Sequence, residues 1–511
     1  MDHETYIEEL RQRRAKAYAM GGEERLARRR AQGVLNARER LDVLLDPGSF
    51  FETGLLAASF RPEARDKTPA DGKIAGFGTI EGRPVAVVSN DFTVMGASSS
   101  VVNGKKIKHV RQVAADSGMP LVLLGESAGA RMPDRMGAAG RAILGQDATE
   151  YLRDRRTPWV SALLGSCYGS STWYACLSDF VVMRKGATMA VASGRVTELA
   201  IKQAVDSEEL GGWKLHTGTT GLVDVAVDTD EEALEVVKRF LSYLPSHSGE
   251  APPVAPVPPG SDDAMADILD VVPASRTQTY DSRDVIRRLL DRDSLFELKP
   301  RFGKSMVTAL GRIGGRTVGV LANNPKFKGG AIDVDACAKA TSFLVLCDSF
   351  NIPIVFLVDQ PGFLIGLDGE KRGAPGRIMN WMNALSQVTV PRFVVTLRKN
   401  YGQAYLNMGG GRNSDEAAAW PCADFGFMDP GTAVNVLHGL RLEDDPEKFK
   451  RLVDQVNQDN APWALAALYE AKDVIDPRDT RTYLSRLLAV HARKPSGGVG
   501  AHRLACWPTS Y

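Results

Sequence analysis

The stretch Leu163-Leu164-Gly165-Ser166-Cys167-Tyr168-Gly169-Ser170-Ser171-Thr172-Trp173 decides the fold. It follows an apolar run, Trp159 to Leu164, that reads as a buried strand. The run breaks at glycines and small residues, and Ser171 to Leu177 reads as a helix packed on one face. A strand that turns into a helix at a glycine leaves main-chain N–H groups unpaired at the positive end of the helix dipole. Such a turn can hold a developing oxyanion. Taken alone, it is equally an ordinary β–α turn, since glycine is common there.

The chain repeats the pattern. Pro353 lies 233 positions after Pro120, and each opens an apolar strand. The same interval separates Pro158 from Pro391, Tyr168-Gly169 from Tyr401-Gly402, and Gly82-Arg83 from Gly315-Arg316. A period this long marks a duplicated domain rather than a solenoid. The expected units are residues 1–244 and 263–511. They are joined by a linker at 245–262 that holds Pro245, Pro252, Pro253, Pro256, Pro258 and Pro259.

Other elements read less sharply. Residues 5–45 read as helical, with Arg28-Arg29-Arg30 on a solvated face or available to a phosphate. Ile74–Ile80 and Val85–Val88 read as a hairpin, and Asn103–Ser117 as an amphipathic helix. Strand 121–124 leads to a small-residue loop that includes Ala128, Gly129, Ala130 and Arg131. Open α/β sheets place ligands at such strand ends. Met132–Gly145 reads as mobile, 147–156 as a helix, and Gly211–Gly218 as a glycine-rich loop. The tail from Lys494 reads as loose, anchored by Trp507 and Tyr511.

Composition narrows the function. All 511 residues carry a net charge of only +1, which argues against nucleic-acid binding through bulk charge. The six cysteines form no Cys-x-x-Cys pair and read as buried thiols of a reducing compartment. No apolar run approaches the ~18 residues of a membrane span. The expected location is the cytoplasm.

With these residues laid out, the sequence resembles the carboxyltransferase (β) subunits of biotin-dependent acyl-CoA carboxylases, the propionyl-CoA type above all. The matching stretches include Leu35-Asn36-Ala37-Arg38-Glu39-Arg40, Asn90-Asp91-Phe92-Thr93 and Gly129-Ala130-Arg131. In the second half they include Val358-Asp359-Gln360-Pro361-Gly362-Phe363, Arg398-Lys399-Asn400-Tyr401-Gly402 and Ala419-Trp420-Pro421. The resemblance implies an α/β protein of two tandem crotonase-like domains, each a β–β–α superhelix. It implies acyl-CoA in the first domain and carboxybiotin against the second, with the active site shared between dimer mates and three dimers forming a homohexamer.

The family's chemistry passes through a biotin enolate and a thioester enolate, each held by main-chain N–H groups. The resemblance maps the acyl-CoA oxyanion hole to Gly169 and Ser170, and the biotin hole to Gln403 and Ala404. It places Ala128, Gly129, Ala130 and Tyr168 around the first, and Gly362, Phe363, Tyr401, Gly402 and Leu406 around the second. No metal is implied. Proline at Gly169 is expected to remove a donor without unfolding the chain. The family usually has glycine at Ser170, Gln403 and Ala128, alanine at Tyr168, and aspartate or isoleucine at Leu406, so the pockets are reshaped here. Biotin carboxylase and the biotin carrier are expected on a partner (α) chain, because no Met-Lys-Met biotinylation site or ATP-binding domain is present. Two other readings stay open: a decarboxylase subunit running the chemistry backwards, and a non-catalytic scaffold that binds a biotinylated partner.

Overall fold

A computed structural model describes residues 2–142, 148–458, 460–492 and 495–508. The chain divides into two compact units, Met1–Ser242 and Tyr243–Ser510. In the first, the strands are β1 (Phe51–Thr53), β2 (Lys73–Ile80), β3 (Arg83–Asn90), β4 (Leu121–Ala128), β5 (Trp159–Tyr168), β6 (Phe180–Arg184), β7 (Thr188–Ala190) and β8 (Val225–Val227). They form one sheet in the order β1-β2-β3-β4-β5-β6-β8, with β7 on the far end of β5. The β1–β2 and β2–β3 pairs are antiparallel, and every later pair is parallel.

The second unit repeats the plan. Its strands are β9 (Phe296–Leu298), β10 (Met306–Ile313), β11 (Arg316–Asn323), β12 (Ile354–Gln360), β13 (Arg392–Tyr401), β14 (Glu416–Ala419), β15 (Asp424–Gly426) and β16 (Asp473–Val474), in the order β16-β14-β13-β12-β11-β10-β9. Here β15 extends β13 as β7 extends β5. The bounds of β2, β3 and β5 move onto those of β10, β11 and β13 by the same 233 positions read from the prolines. Val101–Asp116, the helix before β4, moves onto Val334–Ser349.

The inner strands are buried on both faces, so they read as continuous apolar runs: Leu121 to Leu124, and Ile354 to Val358, are at most 6% exposed. One polar feature recurs inside this apolar setting. Lys106 Nζ donates to the carbonyls of Gly54 (3.0 Å), Ala70 (3.4 Å) and Lys73 (2.5 Å). Its counterpart 233 positions on, Lys339, donates to Lys299 (2.9 Å), Phe302 (3.0 Å) and Met306 (2.7 Å). Each lysine ties its helix to the start of the hairpin through main-chain carbonyls.

Several expectations are corrected. Residues 5–45 form three helices, His3–Tyr18, Glu23–Ala31 and Ala37–Leu44. The strand at 159–164 runs on through Gly165 to Tyr168. Gly165 is small because a Cβ there would stand 2.0 Å from Glu126 Oε1, not because the chain turns. The "loop" at 211–218 is two helices, Ser207–Gly211 and Trp213–Gly218, and a Cβ on Gly211 would meet the Met189 carbonyl at 2.2 Å. Of the stretch 147–156, residue 147 lies outside the described residues, and among 148–156 only Ala148–Tyr151 is helical, as a 3-10 turn. Met132–Arg135 and Gly137–Ala142 are helical, and Gly145 lies outside the described residues. Cys422 and Cys506 are exposed, not buried. Beyond Lys494 the tail is docked by Leu504, fully buried, and by Gly500 N–H on Asn351 Oδ1 (2.8 Å); Lys494 and Tyr511 lie outside the described residues.

Replacing Lys339 by Met takes a donor from three buried carbonyls, of which that of Lys299 keeps the Phe302 N–H (3.2 Å), and is expected to cost about 3 kcal/mol in urea unfolding. Burial pulls Lys339 down to about 7 from an ordinary 10.5. Between those values the unfolded chain binds the extra proton, so the wild type's margin over Lys339→Met widens as pH rises from 7. A margin independent of pH across that window would contradict this account.

Candidate active site

Strands β4 and β5 run parallel to their ends, where Ala128 pairs with Tyr168. Each is followed by a small-residue turn, and the turns touch: a Cβ on Gly169 would stand 3.5 Å from Gly129 Cα. Gly169 has φ 65° and ψ −122°, a conformation that side chains resist, and it opens the helix Ser170–Leu177. Its carbonyl accepts from Trp173 N–H at 3.1 Å, starting the helical ladder. Among the described residues no acceptor is found for the N–H of Gly169 or of Ser170. Ala128 and Ala130 are exposed, Gly169 and Ser170 half-buried, Gly129 and Tyr168 buried.

A third segment braces the pair. Ser99 N–H donates to the Gly129 carbonyl (2.8 Å), and the Ser99 carbonyl accepts from Arg131 N–H (2.9 Å). The Ser99 and Ser170 hydroxyls share a 2.6 Å hydrogen bond. Asn90 Nδ2 donates to the Glu126 carbonyl (2.8 Å) and to Ser171 Oγ (3.2 Å). Asn90 opens the stretch Asn90-Asp91-Phe92-Thr93 quoted above without a role, and Ser99, six residues beyond its end, carried no signal in the sequence.

The second unit builds the same site. Ile332 N–H donates to the Gly362 carbonyl (3.1 Å), and Leu364 N–H to the Ile332 carbonyl (2.8 Å), as at Ser99. Tyr401 ends β13, Gly402 turns at φ 62°, and Ala404–Asn407 is a single helical turn. Here the Gly402 N–H is taken by the Gly426 carbonyl at 3.0 Å. Among the described residues no acceptor is found for the N–H of Gln403 or of Ala404, one residue further along. Gln403 is exposed, Gly362, Phe363 and Leu406 half-buried. Phe363 meets Trp381 edge-on at 6.5 Å. The Tyr401 side chain points inward, its phenol 2.6 Å from Asp424 Oδ2, so only its main chain flanks the turn.

Side-chain chemistry at the turns is quiet. Burial pushes the Cys167 thiol far above its usual range, and its Sγ faces the Gly125 and Gly165 carbonyls, so it is packed rather than nucleophilic. Burial, then the bond to Asp424, pushes the Tyr401 phenol up. What each turn presents is main-chain N–H. The φ of Gly169 also corrects one expectation: proline cannot adopt +65°, so Gly169→Pro would disrupt the turn itself. Ser170, first residue of its helix, is the position where proline fits.

A family model for the carboxyl transferase domain matches residues 28–502. The chain belongs to the carboxyl transferase family. It is 37% identical over 500 residues to the carboxyltransferase subunit of propionyl-CoA carboxylase from Haloferax mediterranei, covering 95% of each chain. It is 35% identical to the 12S subunit of methylmalonyl-CoA carboxyltransferase from Propionibacterium freudenreichii subsp. shermanii, covering 96% of this chain and 95% of that one. The crystal structure of transcarboxylase 12S, a hexamer with methylmalonyl-coenzyme A and methylmalonic acid bound, superposes with a TM-score of 0.89 at 34% identity over 97% of each chain. The two sheets are thus the tandem crotonase-like domains of a carboxyltransferase.

In this carboxyltransferase each site rests on a buried carboxylate two or three residues before its first turn. Glu126 takes Arg29 (2.7 Å) and Arg40 (2.8 Å), and Arg40 also reaches Asp230 (2.9 Å). At the equivalent position Asp359 takes Arg398 and Lys399, both at 2.8 Å. Arg29 is therefore not free for a phosphate, while Arg28 and Arg30 pair with Glu24 and Glu23. Glu126→Gln leaves two guanidinium groups around a neutral amide. The expected cost is about 3–5 kcal/mol, read as a lowered melting temperature. An unchanged melting temperature would show that the pair does not hold the strand end.

Proposed function

We propose that this chain moves a carboxyl group from biotin, carried on a partner protein, to the α-carbon of an acyl-CoA. The observation that carries the reading is the recurrence of one turn in two units, each with two adjacent main-chain N–H groups that have no acceptor among the described residues. Acyl-CoA belongs at the first turn, where the thioester oxygen accepts from Gly169 and Ser170 as its charge grows. Such donors contribute a few kcal/mol to a transition state because they are already oriented. Ala128, Gly129, Ala130 and Tyr168 line the approach. The hydroxyl of Ser170 is held by Ser99, which keeps it beside the N–H groups and narrows the acyl pocket relative to glycine.

The second turn suits a neutral ring with a single oxygen: two N–H donors, the exposed Gln403 and the flanking Gly362, Phe363, Gly402 and Leu406. When bound, biotin supplies the carboxyl group and accepts the α-proton. Gln403 and Ala404 N–H then orient the ureido oxygen and stabilise charge there. The relatives' names support propionyl-CoA or a similar small acyl ester as substrate. We further propose that the first site of one subunit meets the second site of a mate, in a hexamer like that of transcarboxylase 12S. Biotin carboxylase and the biotin carrier are then the partner. Among the described residues no helix is long and apolar enough to cross a membrane.

Ser170→Pro removes one donor at a helix position that accepts proline, and is expected to lower kcat for propionyl-CoA carboxylation about 100-fold or more with the melting temperature kept. Ser170→Ala keeps the N–H and is expected to stay within a few-fold of wild type. The assay uses the purified chain with its biotin-bearing partner. Full activity in Ser170→Pro would remove the first turn from the reaction.

A further inference from the structure

We propose that Asp424, gripped by Arg276, is a positioning residue for the second turn and acts through the Tyr401 phenol. This rests on the reading of that turn as the biotin site. Tyr401 is fully buried at the end of β13 and donates to Asp424 Oδ2 at 2.6 Å. Arg276 Nη1 grips the same carboxylate oxygen and also lies 3.3 Å from the phenol. The other oxygen, Asp424 Oδ1, is buried with no partner among the described residues. The carboxylate is thus committed to the phenol and the guanidinium.

Arg276 is itself fixed from below. Arg398 Nη1 donates to the carbonyls of Pro273 (3.1 Å) and Ser275 (2.6 Å), and Lys399 Nζ to that of Arg276 (3.2 Å). Both cations hold Asp359, near the end of β12. One line of charge-assisted bonds therefore runs from the strand end before Gly362 to the strand end before Gly402. It brackets the two segments that flank Gln403 and Ala404.

The duplication supplies the comparison. Lys399 pairs with Asp424 across β13–β15, and the matching pair in the first unit is Ser166 with Thr188. No carboxylate bonds the Tyr168 phenol among the described residues. In the second unit the turn is tied to β15 by this clamp, by the Gly402 N–H on the Gly426 carbonyl (3.0 Å) and by Tyr405 edge-on to Phe425 (6.3 Å). With the phenol released, Gln403 and Ala404 N–H can rotate away from a common target. Misplacement of a donor by about 1 Å is enough to cost up to 100-fold in rate.

The test is carboxyl transfer from methylmalonyl-CoA to free biotin by the chain without its partner. The α-carbon gains the proton from biotin nitrogen, and propionyl-CoA and carboxybiotin are formed. Tyr401→Phe and Asp424→Asn are each expected to lower kcat/KM for biotin about tenfold or more while KM for methylmalonyl-CoA stays at the wild-type value. Asp424→Glu should recover part of the loss, and the double variant should lose no more than the worse single one. Tyr401→Phe keeps the ring in the core, so it decides the matter if Asp424→Asn does not fold. Wild-type kcat/KM for biotin in Tyr401→Phe, or an equal rise in KM for methylmalonyl-CoA, would overturn the positioning role alone. A wild-type chain that carboxylates no biotin would overturn the functional reading and this role with it.

Discussion

Two parallel strands that end side by side leave the main chain with hydrogen-bonding groups and no ladder to receive them. Both sheets of this protein are arranged around that constraint. A glycine at positive φ ends the strand abruptly, and N–H groups there fall at the start of a helix, where nothing among the described residues accepts from them. Leaving them bare in a half-buried turn costs free energy that a fixed framework must offset. The framework is ionic: Glu126 with Arg29 and Arg40 beneath one site, Asp359 with Arg398 and Lys399 beneath the other. The carboxylates are equivalent by duplication. Their partners are not, since Arg29 and Arg40 come from helices ahead of the sheet, whereas Arg398 and Lys399 come from β13 itself.

The halves have also diverged at the turns. Gly169 keeps its N–H available, whereas Gly402 has given its own to Gly426 on β15. The available pair moves one residue along the chain. Two turns of one origin therefore present their donors in different register.

Much of this was legible in the sequence. Prolines before strands and Gly-Arg turns recur because strand starts and hairpins have strict backbone demands, so the interval of 233 survived when most side chains changed. The glycine turns were legible for the same reason. Gly165 and Gly211 misled, because a glycine required by a neighbour's close approach looks like one required by a turn, and only the fold shows Glu126 or Met189 behind it. Ser99, Arg276 and Asp424 were not legible either. Each reaches its turn through pairing between segments far apart in the chain, and a short string such as Ala423-Asp424-Phe425 carries no mark of that.

The buried lysines bear on the chain's chemical durability. A thioester is an acyl donor to any accessible uncharged amine, and burial makes Lys73, Lys106 and Lys339 the most readily uncharged of the described lysines, at about 7, 8 and 7. They are also at most 8% exposed, with Lys106 and Lys339 each turned onto three carbonyls. These three amines are therefore out of reach of an acyl donor in the folded chain.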